Sequence, residues 1–392
     1  MQGDTIGIIL NGATGRICST QHLARGLAAI RSAGGVQTDT GKLMPRLMLV
    51  GRNAERLEAL AREHAPAEWT TDLDVALARE DFSVFFDASS NERRPEFLRR
   101  ALDAGKHIFA EKPVVPSVCE GLELLKALHN SPLKHGVVED KVYLPGLMKL
   151  SRLFEEKFFG RVSSFELEFG WWVFDGFKVP CQRSSWNYRR AEGGGLVRDM
   201  HPHWRYIVER LIGRIHSVVA ATWTAIPERA DESGARYTVD VDDNAATIVR
   251  LENGVVGTIR SSWSRRVRGD DLFTLRVDGS HGSAVAGLHK CHTQSIGDTP
   301  KVRWDTDTDH GTDYRKDWAK VVAAPVYKNS YRKCWEDFLG HVASGTPIRC
   351  DLSAGIRDVQ FAEACRLSAA ERRWVTLDEL LPLKIHPTQE RT

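Results

Sequence analysis

Three consecutive glycines, Gly193 to Gly195, stand directly before "LVRDMHPHWRYIVERLI", where Asp199, His201 and His203 crowd together. On a helix, residues four apart share a face and residues two apart do not, so Asp199 and His203 point together while His201 points elsewhere. An imidazole with a carboxylate on its own face can take a proton near neutral pH, which is acid–base chemistry. Zinc would need more converging ligands, and no further His/Cys cluster supplies them, so no metal is expected. The competing reading is a structural histidine satisfied by its aspartate. Pro202 fits a helix that begins near His201. The glycines read as a flexible loop able to approach a ligand closely.

A second candidate lies near the start. "GIILNGATGRI" (7–17) places a glycine loop between a strand and a helix-compatible stretch, with Gly12 and Gly15 at the second and third glycines of a dinucleotide fingerprint and Leu10 at the first. Gly12, Ala13, Thr14, Gly15 and Arg16 are therefore candidates for holding a pyrophosphate against a helix N-terminus. The acidic residue expected after the second strand is replaced by "GRN", in which Arg52 either pairs with the 2′-phosphate of NADP or lies over the adenine of NAD. Both cofactors stay open.

A third, "AGKHIFAEKP" (104–113), ends a strand in Glu111-Lys112-Pro113. A lysine there sits where open α/β sheets bind ligands, and its ammonium could stabilise charge developing on a substrate oxygen. Taken alone, the tripeptide reads equally as a surface lysine before a proline. Leading into the glycines, "SSWNYRRAEGGG" (184–195) mixes aromatic faces with donors, as a pyranose ring requires. Trp186, Asn187 and Arg189 are the candidates here, with His201 and Arg205 as second contacts. Trp171, Trp172 and Phe174 are expected in the core.

The elements that must carry these residues follow from periodicity. Strands are expected at 5–10, 47–51, 83–89 and 106–111, with helices at 54–65 and 94–105. This alternation implies a doubly wound parallel sheet in an N-terminal Rossmann domain, 1–145. After about residue 150 the strand-like runs at 163–174, 217–226, 245–263 and 272–286 are joined by turns, Asn253-Gly254 being a strong hairpin signal. They imply an α/β domain over 146–392 with a large open, mainly antiparallel sheet and closing helices at 330–345 and 354–371, which are free to pack back on the first domain. Lys plus Arg number 54 against 52 for Asp plus Glu, too even a balance to favour nucleic acid or an anionic membrane. The basic run Ser264 to Arg268 is followed at once by Asp270 and Asp271 and reads as a solvated strand end or loop. No apolar run approaches a membrane span, and the opening "MQGDTIGIILNG" lacks the basic start of a signal peptide. Seven scattered cysteines without a CxxC pair are expected as reduced thiols in a cytoplasm.

Taken together, the glycine loop, "ALDAGKHIFAEKP", "GGGLVRDMHPH", the second-half sheet and "AGIRDVQFAEACRLS" resemble the Gfo/Idh/MocA family of nicotinamide-dependent sugar and cyclitol oxidoreductases. The resemblance implies Lys112 between nicotinamide and substrate, Ser89 and Asn91 on a cofactor-contacting loop with Glu111 beside them, and Asp199 with His203 as the acid–base pair. It implies hydride transfer between NAD or NADP and a ring hydroxyl or ketone, and a homodimer or homotetramer formed through the open sheet. The chain departs from the usual pattern at Ser89-Ser90-Asn91, at His201-Pro202 and at Tyr206. Two alternatives remain: a cofactor- and sugar-binding regulator without turnover, and a dihydrodipicolinate-type reductase, which "NGATGRI" also resembles.

Overall fold

The structure, a computed structural model, describes residues 4–39, 41–267, 271–309, 311–322 and 327–381. Arg268 and Asp270 of the basic run lie outside the described residues. The chain divides into two units, Met1–Asp140 with Lys328–Gln360 and Leu381–Thr392, and Lys141–Tyr327 with Phe361–Leu380. Of the two closing helices, Ser330–Ser344 is grouped with the first unit within Lys328–Gln360. The reason is aromatic packing. The helix Ser330–Ser344 sets buried Trp335 against Phe86 and Phe109, with ring centroids 5.0 and 4.9 Å apart, and stacks Phe338 on Phe109 at 4.5 Å.

In the first unit, seven strands form one sheet: β1 (Asp4–Asn11), β2 (Val36–Thr38), β3 (Gly41–Val50), β4 (Ala67–Thr70), β5 (Val84–Asp87), β6 (His107–Ala110) and β7 (His135–Val137). Its parallel strands run in the order β4-β3-β1-β5-β6-β7, while β2 pairs antiparallel with β3. This is the doubly wound arrangement, and its order reverses between β1 and β5, the point at which such sheets bind ligands. Continuous apolar runs make these strands. Ile8, Ile9 and Leu10 are fully buried, as a strand with both faces covered requires. The helix Ala54–Glu63 buries Leu57 and Ala61 and starts on Asn53, whose side chain accepts from the Arg56 N–H.

The second unit contains a nine-stranded sheet and a small hairpin. Its strands are β8 (Val162–Gly170), β9 (Ile215–Trp223), β10 (Glu228–Ala230), β11 (Arg236–Thr238), β12 (Asn244–Leu251), β13 (Val256–Ser262), β14 (Phe273–Gly279), β15 (Gly282–Ala286), β16 (Cys291–Ser295), β17 (Ala319–Lys320) and β18 (Val375–Thr376). The order is β17-β16-β15-β14-β8-β13-β12-β9-β18, and only β8 with β13 is parallel. The Asn-Gly hairpin joins β12 to β13, with Gly254 at φ +85°. The helix Leu196–Leu211 packs Leu196, Val197, Trp204, Ile207 and Val208 into the same core as Phe165, Leu167 and Ile259. β8 stops at Gly170, and the aromatics expected in the core divide, Trp171 packing part-buried against it. Phe174 is 38% exposed, and Trp172 lies half-buried beneath the Arg266 guanidinium, 3.9 Å from its ring centroid.

Candidate active site

In the first unit the predicted cofactor residues gather at the carboxyl ends of β1, β3, β5 and β6. Gly12 has φ +78°, and a Cβ there would stand 2.9 Å from the Ala88 carbonyl, so this glycine is required by the chain's own close approach. The Gly12 and Ala13 amides donate to Val50 O and the Gly15 amide to Gly12 O, and among the described residues the Thr14 and Arg16 amides have no backbone acceptor at the start of the helix Ile17–Ala28. Two unspent N–H groups at a helix N-terminus suit a diphosphate, so this loop fits a dinucleotide. At the end of β3, Arg52 is exposed and Arg56 donates to Thr14 O at 3.3 Å.

These loops are tied together by an ion pair the sequence reading missed. Arg94 and Asp87 are 2% and 0% exposed and pair at 2.9 Å. Asp87 also accepts from Asn11 Nδ2 at 2.8 Å and from Ser89 Oγ at 2.9 Å. Arg94 donates to Asn91 Oδ1 at 3.0 Å, to Ser89 O at 2.9 Å and to Pro113 O. One buried cation thus fixes the loops after β5 and β6, and its aspartate fixes the end of β1. Ser89 and Asn91, expected as cofactor contacts, hold the protein's own charges with these side chains. The available clue was an Asp and an Arg seven apart, flanking the loop.

Glu111 likewise bonds within the protein. Its Oε1 accepts from His22 Nε2 at 2.7 Å and its Oε2 from the Lys112 amide at 3.0 Å. Trp335 Nε1 donates to His22 Nδ1 at 3.1 Å, which leaves the His22 proton on Nε2. Burial alone would push the Glu111 carboxyl up, but the His22 hydrogen bond and the Lys112 and Arg94 cations hold it below the usual range. Glu111 is thus a buried strut beneath the Lys112 turn. Lys112 itself is half-buried.

In the second unit, the loop 183–195 and the helix Leu196–Leu211 bring together the remaining candidates. The triple glycine is not a flexible approach to a ligand. A Cβ on Gly194 would lie 2.5 Å from Trp186 O and 2.6 Å from Asn187 O, and Gly195 has φ +122°. The glycines let the loop pack on its own backbone, where Gly195 donates to Asn187 O at 2.9 Å. Asp242 then receives the start of the helix, its carboxylate accepting from the Val197 amide at 2.8 Å and its carbonyl from Leu196 at 2.9 Å. The helix begins at Leu196 rather than near His201, so Pro202 lies inside it and removes one intrahelical bond.

His203 Nδ1 lies 2.7 Å from Tyr206 Oη, which also accepts from the Lys141 amide at 3.2 Å. Asp199 Oδ2 accepts from Arg183 Nη2 at 2.5 Å, and the same nitrogen donates to Asn187 Oδ1. The Arg183 guanidinium lies 4.2 Å from the Trp263 ring centroid and 5.8 Å from that of Trp171. Neither Arg183 nor Tyr206 was a predicted site residue. Tyr206 stood out only as a departure from the usual pattern, and nothing in the spacing marked Arg183.

The sugar candidates separate. His201 is corrected to a core residue. It is fully buried, stacks on Phe361 at 5.6 Å and lies 3.3 Å from Thr247 Oγ1, and burial pushes it down to about 3. Arg205 is 5% exposed and paired with Glu209 at 3.2 Å, so it is an interior ion pair rather than a rim donor. Arg189 turns back to Glu192 at 3.2 Å and to the Tyr237 ring at 4.6 Å. Asn187 is buried and spends its amide on Ser184 O at 2.9 Å. Trp186 is open at 38% exposure, and Arg189 is nearly as exposed at 36%.

Comparison with known proteins agrees with this architecture. Residues 9–137 match an oxidoreductase family with an NAD-binding Rossmann fold, and residues 147–285 match the GFO/IDH/MocA C-terminal domain. The chain is 43% identical over 380 residues to D-xylose dehydrogenase of Paenarthrobacter nicotinovorans, covering 96% of this chain and 98% of that one. It is 26% identical to levoglucosan dehydrogenase of Pseudarthrobacter phenanthrenivorans, over 83% of this chain and 87% of the relative. A solved levoglucosan dehydrogenase, in complex with NADH and L-sorbose, shares the fold with a TM-score of 0.79 at 22% identity, over 95% of this chain and 99% of that one.

Proposed function

The chain belongs to the Gfo/Idh/MocA family of oxidoreductases, and on that premise we propose how its own residues serve hydride exchange with a sugar. It is a nicotinamide-dependent sugar oxidoreductase. The nicotinamide supplies the hydride acceptor or donor. His203 takes the proton of the reacting hydroxyl. In the tautomer that does so, Nδ1–H donates to Tyr206 Oη and Nε2 keeps its lone pair. Asp199, one helical turn earlier, steadies the imidazolium, and Lys112 stabilises charge growing on the carbinol oxygen. Trp186 offers its face to the apolar side of the ring.

The observation that carries this reading is the edge of the first sheet, where the buried Asp87–Arg94 pair ties the end of β1 to the Lys112-Pro113 turn. A sheet that builds a dinucleotide loop and holds a lysine at the same edge suits reaction at a carbinol beside a nicotinamide. The proposed cofactor is NADP. Asn53 spends its oxygen on the Arg56 amide, so the ribose end of the site offers guanidinium groups where a carboxylate would favour NAD. The proposed substrate is an unphosphorylated aldopyranose, D-xylose first, on the strength of the likeness to D-xylose dehydrogenase. Ile248 and Val256, each 41% exposed on the open sheet, support a homo-oligomer through that face. Free cysteines among the described residues support a reducing, cytoplasmic compartment.

The test follows absorbance of reduced nicotinamide while the protein meets NADP or NAD with D-xylose, levoglucosan and a panel of pyranoses and cyclitols. Expected is turnover of a pyranose with NADP preferred, falling at least ~100-fold in Lys112→Ala and in His203→Ala. Turnover that survives both changes overturns the roles. Cofactor binding without turnover of any polyol favours a sensor of the same fold.

A further inference from the structure

We propose that Arg183 is the positioning residue of the oxidoreductase site, a clamp that sets the Asp199 carboxylate and the sugar-side loop in one register. The inference rests on the roles just given to Asp199 and His203. A single nitrogen, Nη2, meets both Asp199 Oδ2 and Asn187 Oδ1. The loop that leads into the glycines is therefore tied to the helix bearing His203 through one side chain.

Three observations separate this clamp from an ordinary surface ion pair. The side chains of Arg183 and Asp199 are 18% and 17% exposed, which places the pair at the boundary of the interior, where Coulomb attraction is less screened than at an open surface. The plane of the guanidinium is fixed by Trp263, a fully buried indole 4.2 Å away that itself packs on buried Tyr188 at 5.3 Å. The loop side is equally rigid, because Asn187 is buried, its side chain donates to Ser184 O and its carbonyl accepts from Gly195. A guanidinium held by core aromatics thus defines where one carboxylate oxygen stands.

That definition has a chemical consequence. Asp199 precedes His203 by four residues, so the direction of its carboxylate sets the charge beside the imidazole. With Oδ2 held by Arg183, the orientation of the whole carboxylate follows the guanidinium. A lysine keeps the charge but has neither the planar fork nor the flat face that stacks on Trp263. Arg183→Lys should therefore restore charge without restoring register.

The experiment measures kcat and KM for D-xylose with NADP in the full-length protein carrying Arg183→Met, Arg183→Lys, Arg183→Ala, Asn187→Ala or Asp199→Asn. Expected is a fall in kcat of about 10- to 100-fold in Arg183→Met, the cost of misplacing a reacting group by about 1 Å. KM for NADP should change less than about 2-fold, Arg183→Lys should recover only part of kcat, and added methylguanidinium should raise kcat of Arg183→Ala. A native kcat in Arg183→Met overturns the proposal. So does full recovery by lysine, which would leave charge as the whole effect. If Arg183→Met fails to fold, Arg183→Lys and the methylguanidinium arm decide. Loss of turnover in Asp199→Asn with none in the Arg183 variants removes only this inference. Native turnover in Asp199→Asn removes the functional reading beneath it.

Discussion

Two arginine–aspartate pairs stand at the two candidate regions, and they differ in burial. Arg94 and Asp87, in the first unit, are 2% and 0% exposed, and every further bond they make goes to the protein. Arg183 and Asp199, in the second, are 18% and 17% exposed. The first pair is scaffolding. A buried charge left with any open valence would cost several kcal/mol, so its bonds are all spent on the loops it holds. On the proposed function the second orients a group that serves the substrate, and its partial solvation lowers the cost of keeping that charge. His201 and His203, both buried on one helix, differ instead in their partners, the first sealed against Phe361 and the second bonded to a tyrosine hydroxyl.

This contrast can be broken at its strongest point. Arg94→Met leaves Asp87 buried and unpaired and should lower stability by about 3–5 kcal/mol in urea unfolding. A loss below about 1 kcal/mol would show that the pair holds nothing. Gly194→Ala comes next. If the triple glycine packs on its own backbone, the added methyl should cost about 1–3 kcal/mol in the same measurement, whereas a flexible loop would accept it without loss.

His201 sharpens the comparison through pH. Burial holds its folded pKa down at about 3, below the unfolded value near 6.5. Its neutral form is the one the fold accepts, so its contribution is whole above pH ~6.5 and is lost as pH falls from there towards ~3. At about pH 5 the loss should be about 2 kcal/mol relative to neutral pH. His201→Asn should remove that slope from unfolding midpoints measured across the window, and an unchanged slope would mean the ring is solvated. The smallest effect is expected at Arg189. Its ion pairs are part-exposed, so Arg189→Ala should change stability by less than about 1 kcal/mol and KM for sugar by less than about 2-fold. A tenfold rise in KM would return it to the substrate.

Much of the fold was legible because its signals are local. Continuous apolar runs marked β1, β5 and β6, the Leu57/Ala61 spacing marked a helix, and Asn253-Gly254 marked the β12–β13 hairpin. Short elements such as β2, β4 and β17 were missed because, unlike the similarly short β5 and β6, they contain no continuous apolar run. The placement of Lys328–Gln360 was left open for a different reason. An amphipathic helix shows that it has a partner but not which one, and only the fit of Trp335 to Phe86 and Phe109 settles the matter.

The same division runs through the candidate site. Residue types and spacing determined the glycine loop at the end of β1, the lysine after β6, and a helix on which Asp199 and His203 are four apart. They did so because backbone conformation and helical period are local properties. Tertiary structure alone decided which charges are spent. Glu111, Ser89 and Asn91 turn inward to His22 and to the Asp87–Arg94 pair, His201 is sealed in the core, and Arg183 reaches Asp199 across sixteen positions. Whether a polar group is available depends on what surrounds it in space, and burial assembles that environment from segments far apart in the chain.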